Sequence, residues 1–145
     1  MPGKILLRED ELRYMALFEN VTGAVAKDCI IDEKANRVIF VVKAGTAGLA
    51  IGKGGYNVKI LNQMINKNVE IVEYDDQPAD FIKNALAPAR IMEVRITARP
   101  DGRKIAVIAV DPKDKGVAIG KDGRTVERTR FLAKRYFEIG DVVIT

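Results

Sequence analysis

Hydrophobic and polar positions follow two rhythms along this chain, a helical spacing and the runs of strands, and the series of rhythms passes through twice. Behind the acidic stretch Glu9-Asp10-Glu11, the apolar residues Leu12, Tyr14, Met15, Ala16, Leu17, Phe18 and Val21 recur at helical spacing and predict a helix over 9–20. Two β-rich stretches follow, 24–32 and 37–43, separated by the polar Glu33-Lys34-Ala35-Asn36, and are expected to pair antiparallel. A short helix over 46–51, a glycine turn, a helix over 56–66 with Val58, Leu61 and Ile65 inward, and a strand over 69–74 complete the order αββααβ. Asp75-Asp76-Gln77-Pro78 reads as a polar, proline-bearing linker.

After it the order returns. A helix over 79–86 precedes strands at 91–98 and 104–110, joined through Pro100-Asp101-Gly102, a strong turn signal. Asp111-Pro112 is suited to starting the next helix, because the Asp can accept orphan amides and the proline presets φ. A helix over 124–136 and a strand over 142–144 close the chain. The duplication is visible in the residues themselves. Ala50-Ile51-Gly52-Lys53-Gly54-Gly55 reappears as Ala118-Ile119-Gly120-Lys121-Asp122-Gly123, 68 residues later, and without a gap Gly48 falls on Gly116, Val42 on Val110, Val58 on Val126 and Ile71 on Ile139. The expectation is an α+β protein of two modules, 1–76 and 77–145, each with a three-stranded sheet packed against helices.

Composition narrows the setting. One cysteine and no histidine leave neither an intramolecular disulfide nor the usual zinc ligand sets, which suits a reducing, cytoplasmic location. No apolar run approaches the roughly 20 residues of a membrane span, and no export signal is legible at the start. The net charge of +4 is unevenly placed: residues 1–76 carry 10 Lys and Arg against 11 Asp and Glu, whereas residues 77–145 carry 14 against 9. Cys29 sits within an apolar strand pattern and is expected to be a buried, inert thiol. The carboxylates form no recurring pair, so binding is expected rather than catalysis, with no cofactor or metal.

The glycine turns carry the candidate chemistry. Glycines let the backbone bend sharply and leave no side chain above the turn. The helix that follows offers unpaired amides and a partial positive charge of about +0.5. Lys53 and Lys121 add full charges, so a phosphate backbone is the natural ligand of such a turn, held without sequence preference. Glycines between helices also serve as plain C-caps, which leaves open a protein-interaction scaffold with purely structural turns. A nucleotide P-loop does not fit, because only three residues separate Gly48 from Gly52 and Lys53 is followed by Gly54. The dinucleotide fingerprint does not fit either, since no strand runs straight into the turns.

A GxxG turn between two helices in an αββααβ module resembles the KH domain of type II topology. The tandem pair, with Leu49-Ala50-Ile51-Gly52-Lys53-Gly54-Gly55-Tyr56-Asn57-Val58-Lys59 in its first copy, resembles the KH portion of NusA-type transcription termination and antitermination factors. The likeness is greatest to the short archaeal members built of two KH domains alone. It implies a single-stranded RNA-binding protein of the transcription machinery. Gly52, Lys53, Gly54 and Gly55, and Gly120, Lys121, Asp122 and Gly123, would meet RNA phosphates and sugars. Ile51 and Ile119 would line an aliphatic groove for bases, together with Val58 and Val126 unless these two are core. Lys59, Arg124 and Arg128 are further candidates for RNA contact, with a solvated helix face as the alternative. A ribosome-associated factor is the rival reading, because type II KH domains also occur there. Asp122 opposes a nearby phosphate, and the arginines that follow it are placed to compensate.

Overall fold

The computed structural model describes residues 6–145. By compactness these divide into residues 6–74 and 75–145. Residues 1–5 of the expected first module lie outside the described residues.

In the first unit, α1 (Glu9–Thr22) opens with the Glu11 carboxylate accepting the Arg8 amide at 2.7 Å. It closes at Gly23, whose φ of 76° lets its amide reach Glu19 O at 2.9 Å, two residues beyond the expected end. Strands β1 (Ala26–Asp32) and β2 (Arg37–Val42) pair antiparallel, and β3 (Asn68–Glu73) lies parallel to β2, giving the sheet order β1-β2-β3. Between β2 and β3 come α2 (Ala47–Ile51), a single 3-10 turn and α3 (Tyr56–Ile65). The apolar faces of α1, α2 and α3 cover one face of the sheet. Phe18 stacks on Phe40 with ring centroids 4.5 Å apart, and Cys29, Val38, Val42, Ala50, Leu61, Ile65 and Val69 surround the pair. Cys29 is a buried thiol. Leu12 and Ala16, counted in the helical spacing, are exposed, because α1 presents the Phe18 stripe to the core.

The second unit repeats the plan with α4 (Pro78–Leu86), β4 (Ile91–Ala98), β5 (Lys104–Val110), α5 (Lys115–Ile119), α6 (Arg124–Phe137) and β6 (Ile139–Ile144), in the order β4-β5-β6. Its core joins Ile82, Leu86, Ile108, Val110, Ala118, Ala133, Ile139 and Val142.

Three of the boundaries that differ from the sequence-based expectation have a clear physical cause. Pro78 is not part of a linker; it is the first residue of α4, where its missing amide costs nothing. The Asp111 side chain accepts the Lys113 amide at 3.0 Å and so starts a 3-10 turn, Pro112–Asp114, with α5 beginning only at Lys115. Strand β6 begins at Ile139, three residues before the expected start, because Ile139 pairs with Lys104 and, past an irregularity at Gly140, Asp141 pairs with Ile105. Among the described residues, no helix is long and apolar enough to cross a membrane.

Candidate nucleic-acid interface

The last turn of α2 closes through the Gly52 amide on Gly48 O at 3.0 Å. The chain then turns at Gly52 (φ 79°, ψ 165°), passes through Lys53, and takes left-handed backbone at Gly54 (φ 63°, ψ 21°) and Gly55 (φ 76°, ψ 17°) before α3 starts. The Gly55 amide donates to Gly52 O at 3.1 Å, and the Tyr56 amide to Lys53 O. In the second copy the Gly120 amide meets Gly116 O at 2.9 Å and the Gly123 amide meets Gly120 O at 3.1 Å. The dihedrals match as closely: Gly120 (81°, 166°), Asp122 (56°, 25°) and Gly123 (77°, 12°). One backbone conformation is therefore built twice, with an aspartate standing where the first copy has glycine.

The glycines of each turn do different work. A Cβ on Gly52 would lie 2.9 Å from the Asn57 side chain and 3.0 Å from its amide nitrogen. A Cβ on Gly120 would lie 2.7 Å from the Thr125 amide nitrogen and collide with the Thr125 hydroxyl. The first glycine thus lets the turn seat on the next helix. Asn57 Nδ2 fixes the same junction by donating to Leu49 O at 3.0 Å. Gly54 and Gly55 face open space, so the outer part of the first turn is bare main chain; in the second, Gly123 is as open, its Cβ meeting only Glu127 Cγ at 4.0 Å, and Asp122 carries a side chain beside it.

Open backbone coincides with an electropositive helix end. Neither α3 nor α6 has a side-chain cap on its first amides, since Gly55 and Gly123 occupy the N-cap positions. The first amide of each is already taken, by Lys53 O or Lys121 O, and the amides that follow it are donors that an anion can satisfy. Lys53 and Lys121 are exposed within the turns and Lys59 is exposed on α3, whereas Arg124, the first residue of α6, is half-buried. Arg128 points elsewhere: its Nη2 donates to Ala85 O at 2.6 Å and ties α6 to the end of α4. Glu127, one helical position from Arg128, pairs with Arg130 at 3.8 Å.

Beside each turn are apolar side chains in water. Ile51 is 40% exposed and Ile119 37%. Val126 belongs to the core of the second unit and Val58 packs half-buried against the core of the first, so the core alternative holds for these two. Sequence reasoning passed over Leu49 (55% exposed) and Val117 (46% exposed), a second exposed aliphatic side chain on α2 and on α5. The signal was present, because Leu49 and Val117 are themselves related by the 68-residue repeat.

Comparison with known proteins places the whole chain. A family model described as KH domain matches residues 12–99, and one described as NusA-like second KH domain matches residues 78–141. The chain belongs to the NusA-like KH family. It is 42% identical over 139 residues to a protein of Halococcus morrhuae named probable transcription termination protein NusA, covering 96% of this chain and 97% of that one. A protein of the same name in Methanocaldococcus jannaschii is 33% identical, covering 98% of this chain and 76% of that one. The solved structure titled "Crystal structure of APE1850" matches with a TM-score of 0.84 and 41% identity, covering 96% of this chain and all of that one. The NusA-like assignment thus rests on sequence, and the fold on sequence and structure alike.

Proposed function

We propose that this NusA-like protein binds single-stranded RNA through its two glycine turns and acts in transcription termination. The observation that carries the reading is the twice-built turn, with bare main chain at Gly54, Gly55 and Gly123, an uncapped helix start and an exposed lysine. Phosphates would settle against Lys53 and Lys121 and the first amides of α3 and α6, while Ile51 and Ile119 offer apolar contact to bases. Arg124 stands at the helix start to offset Asp122, and Lys59 adds charge along α3. Arg128 supports the second turn through its hold on Ala85 rather than by reaching outward. The termination role is supported by the names of the archaeal relatives. The transcription machinery is the partner, the cytoplasm the place, and the activity is binding without catalysis or cofactor.

Binding of an eight-nucleotide single-stranded RNA across a salt series tests the reading. Affinity should fall with a log-log slope of about −0.7 for each phosphate neutralised, and an eight-base-pair RNA duplex should compete poorly. Equal affinity for duplex and single strand, or no salt dependence, would sink the proposal. Cross-linking in cells with sequencing of the bound RNA then separates nascent transcripts from ribosomal RNA.

A further inference from the structure

Tyr56 follows Gly55 directly and is the first residue of α3. It is 65% exposed, more than any other aromatic side chain of the described residues, and among those residues its side chain makes no hydrogen bond, ion pair or ring contact. Of the remaining rings, Phe18, Phe40 and Phe81 are buried, Tyr14, Tyr74, Tyr136 and Phe137 are partly so, and Phe131 on α6 is 47% exposed with the Arg135 guanidinium 5.9 Å from its ring centroid. An exposed aromatic is commonplace on a protein surface. The position of this one is not. It stands at the mouth of the bare turn, on the helix start that receives a phosphate, and its neighbour Asn57 is bonded to the carbonyl of Leu49, so the ring shares a rigid junction with the exposed Leu49 and Ile51. The repeat places Arg124 at the matching position of the second copy. A flat guanidinium can also lie on a base, but Arg124 is half-buried where Tyr56 stands in water.

We propose that Tyr56 is a base-stacking residue of the first module. Its ring would accept the face of a nucleobase leaving the Gly52–Gly55 turn, with Leu49 and Ile51 as the aliphatic side of the same platform. Stacking is tolerant of base identity, so the contact adds affinity and fixes the path of the strand more than it selects a sequence. The two modules then differ in kind. To the backbone and lysine grip that both share, the first adds a ring and the second adds the guanidinium of Arg124.

The inference rests on the RNA-binding reading, and one experiment separates the two. A fluorescein-labelled eight-nucleotide RNA of mixed sequence is titrated with the wild-type chain, Tyr56→Ala, Tyr56→Phe, Tyr56→Trp and the charge variant Lys53→Asp/Gly54→Asp/Lys121→Asp, each checked by circular dichroism and melting. Tyr56→Ala is expected to lose about 5- to 100-fold in affinity. Phe and Trp should keep it within roughly threefold, since a face rather than a hydroxyl makes the contact. Replacing the stacked nucleotide with an abasic one should remove the difference between wild type and Tyr56→Ala. Stacking is overturned if Tyr56→Ala binds as wild type while the charge variant does not, or if Tyr56→Phe loses as much as Tyr56→Ala. Should the charge variant bind as well as wild type, or the wild-type chain not bind, the RNA-binding reading falls and the stacking role with it.

Discussion

Gly54 and Asp122 occupy the same left-handed backbone, φ 63° and ψ 21° in one turn and φ 56° and ψ 25° in the other. The second module therefore shows that an aspartate folds at this place, and nothing lies within 4 Å of a Cβ built on Gly54. Gly54→Asp should fold with a loss of about 1 kcal/mol from the left-handed backbone. It should weaken RNA binding by about another 1 kcal/mol, roughly fivefold, through repulsion of the phosphate. Asp122→Gly should strengthen binding by a similar factor. Anisotropy titrations beside urea melts check both.

Gly52 and Gly120 cannot be exchanged so freely. A methyl group on either would press into the first residues of the following helix, at 2.9 Å from Asn57 and 2.7 Å from the Thr125 nitrogen. Gly52→Ala and Gly120→Ala should each cost about 2–4 kcal/mol by chemical denaturation and lose RNA affinity as the turn lifts off its helix. Gly55→Ala, which meets open space, should cost only about 1–2 kcal/mol.

Arg37 is a buried cation of the first module, with Nε 2.9 Å from Asp32 Oδ2 and Nη1 3.2 Å from Glu70 Oε1. Arg37→Met should cost about 2–3 kcal/mol, less than a wholly enclosed ion pair because both carboxylates reach solvent. Burial alone would raise the pKa of Asp32. The hydrogen bond from Arg37, the amides of Ala35 and Lys34 and the guanidinium charge outweigh it and hold the carboxyl below the ordinary value of 3.8. A depressed carboxylate contributes stability that is present above its unfolded pKa and lost as the pH falls through its folded one. Melting of the wild-type chain should therefore drop below about pH 4, and Asp32→Asn should show a shallower acid limb.

Arg128 spends a strong donor on the carbonyl of Ala85. Arg128→Ala should lower the stability of the second module by about 1–3 kcal/mol. Its effect on RNA affinity at 25 °C, where the fold persists, should be smaller than that of Lys121→Ala. Paired melting and binding curves decide between a structural and an RNA-contacting arginine.

Much of this was legible in the chain. The repeat carried the fold, because a duplicated glycine turn set in the same helical and strand patterns fixes the order of elements, whereas the spacing of α1 did not single out the buried Phe18 from the exposed Leu12 and Ala16. What escaped were features set by partners distant in sequence. Strand β6 begins at Ile139 because Lys104 supplies its ladder, and no local pattern around Gly140-Asp141 announces that. Helical spacing put Arg124 and Arg128 on one face, but Ala85, 43 residues earlier, draws the second inward. The separate tasks of the first and last glycine of each turn also needed coordinates, since both are simply glycine in the sequence.

The central claim is that both turns hold an RNA strand by its backbone. Its most direct test is the affinity for an eight-nucleotide single-stranded RNA of the chain carrying Lys53→Asp, Gly54→Asp and Lys121→Asp, at low and at physiological salt. The account predicts that binding is lost at both salt concentrations while the circular dichroism spectrum is unchanged. Wild-type affinity in a correctly folded variant would contradict it.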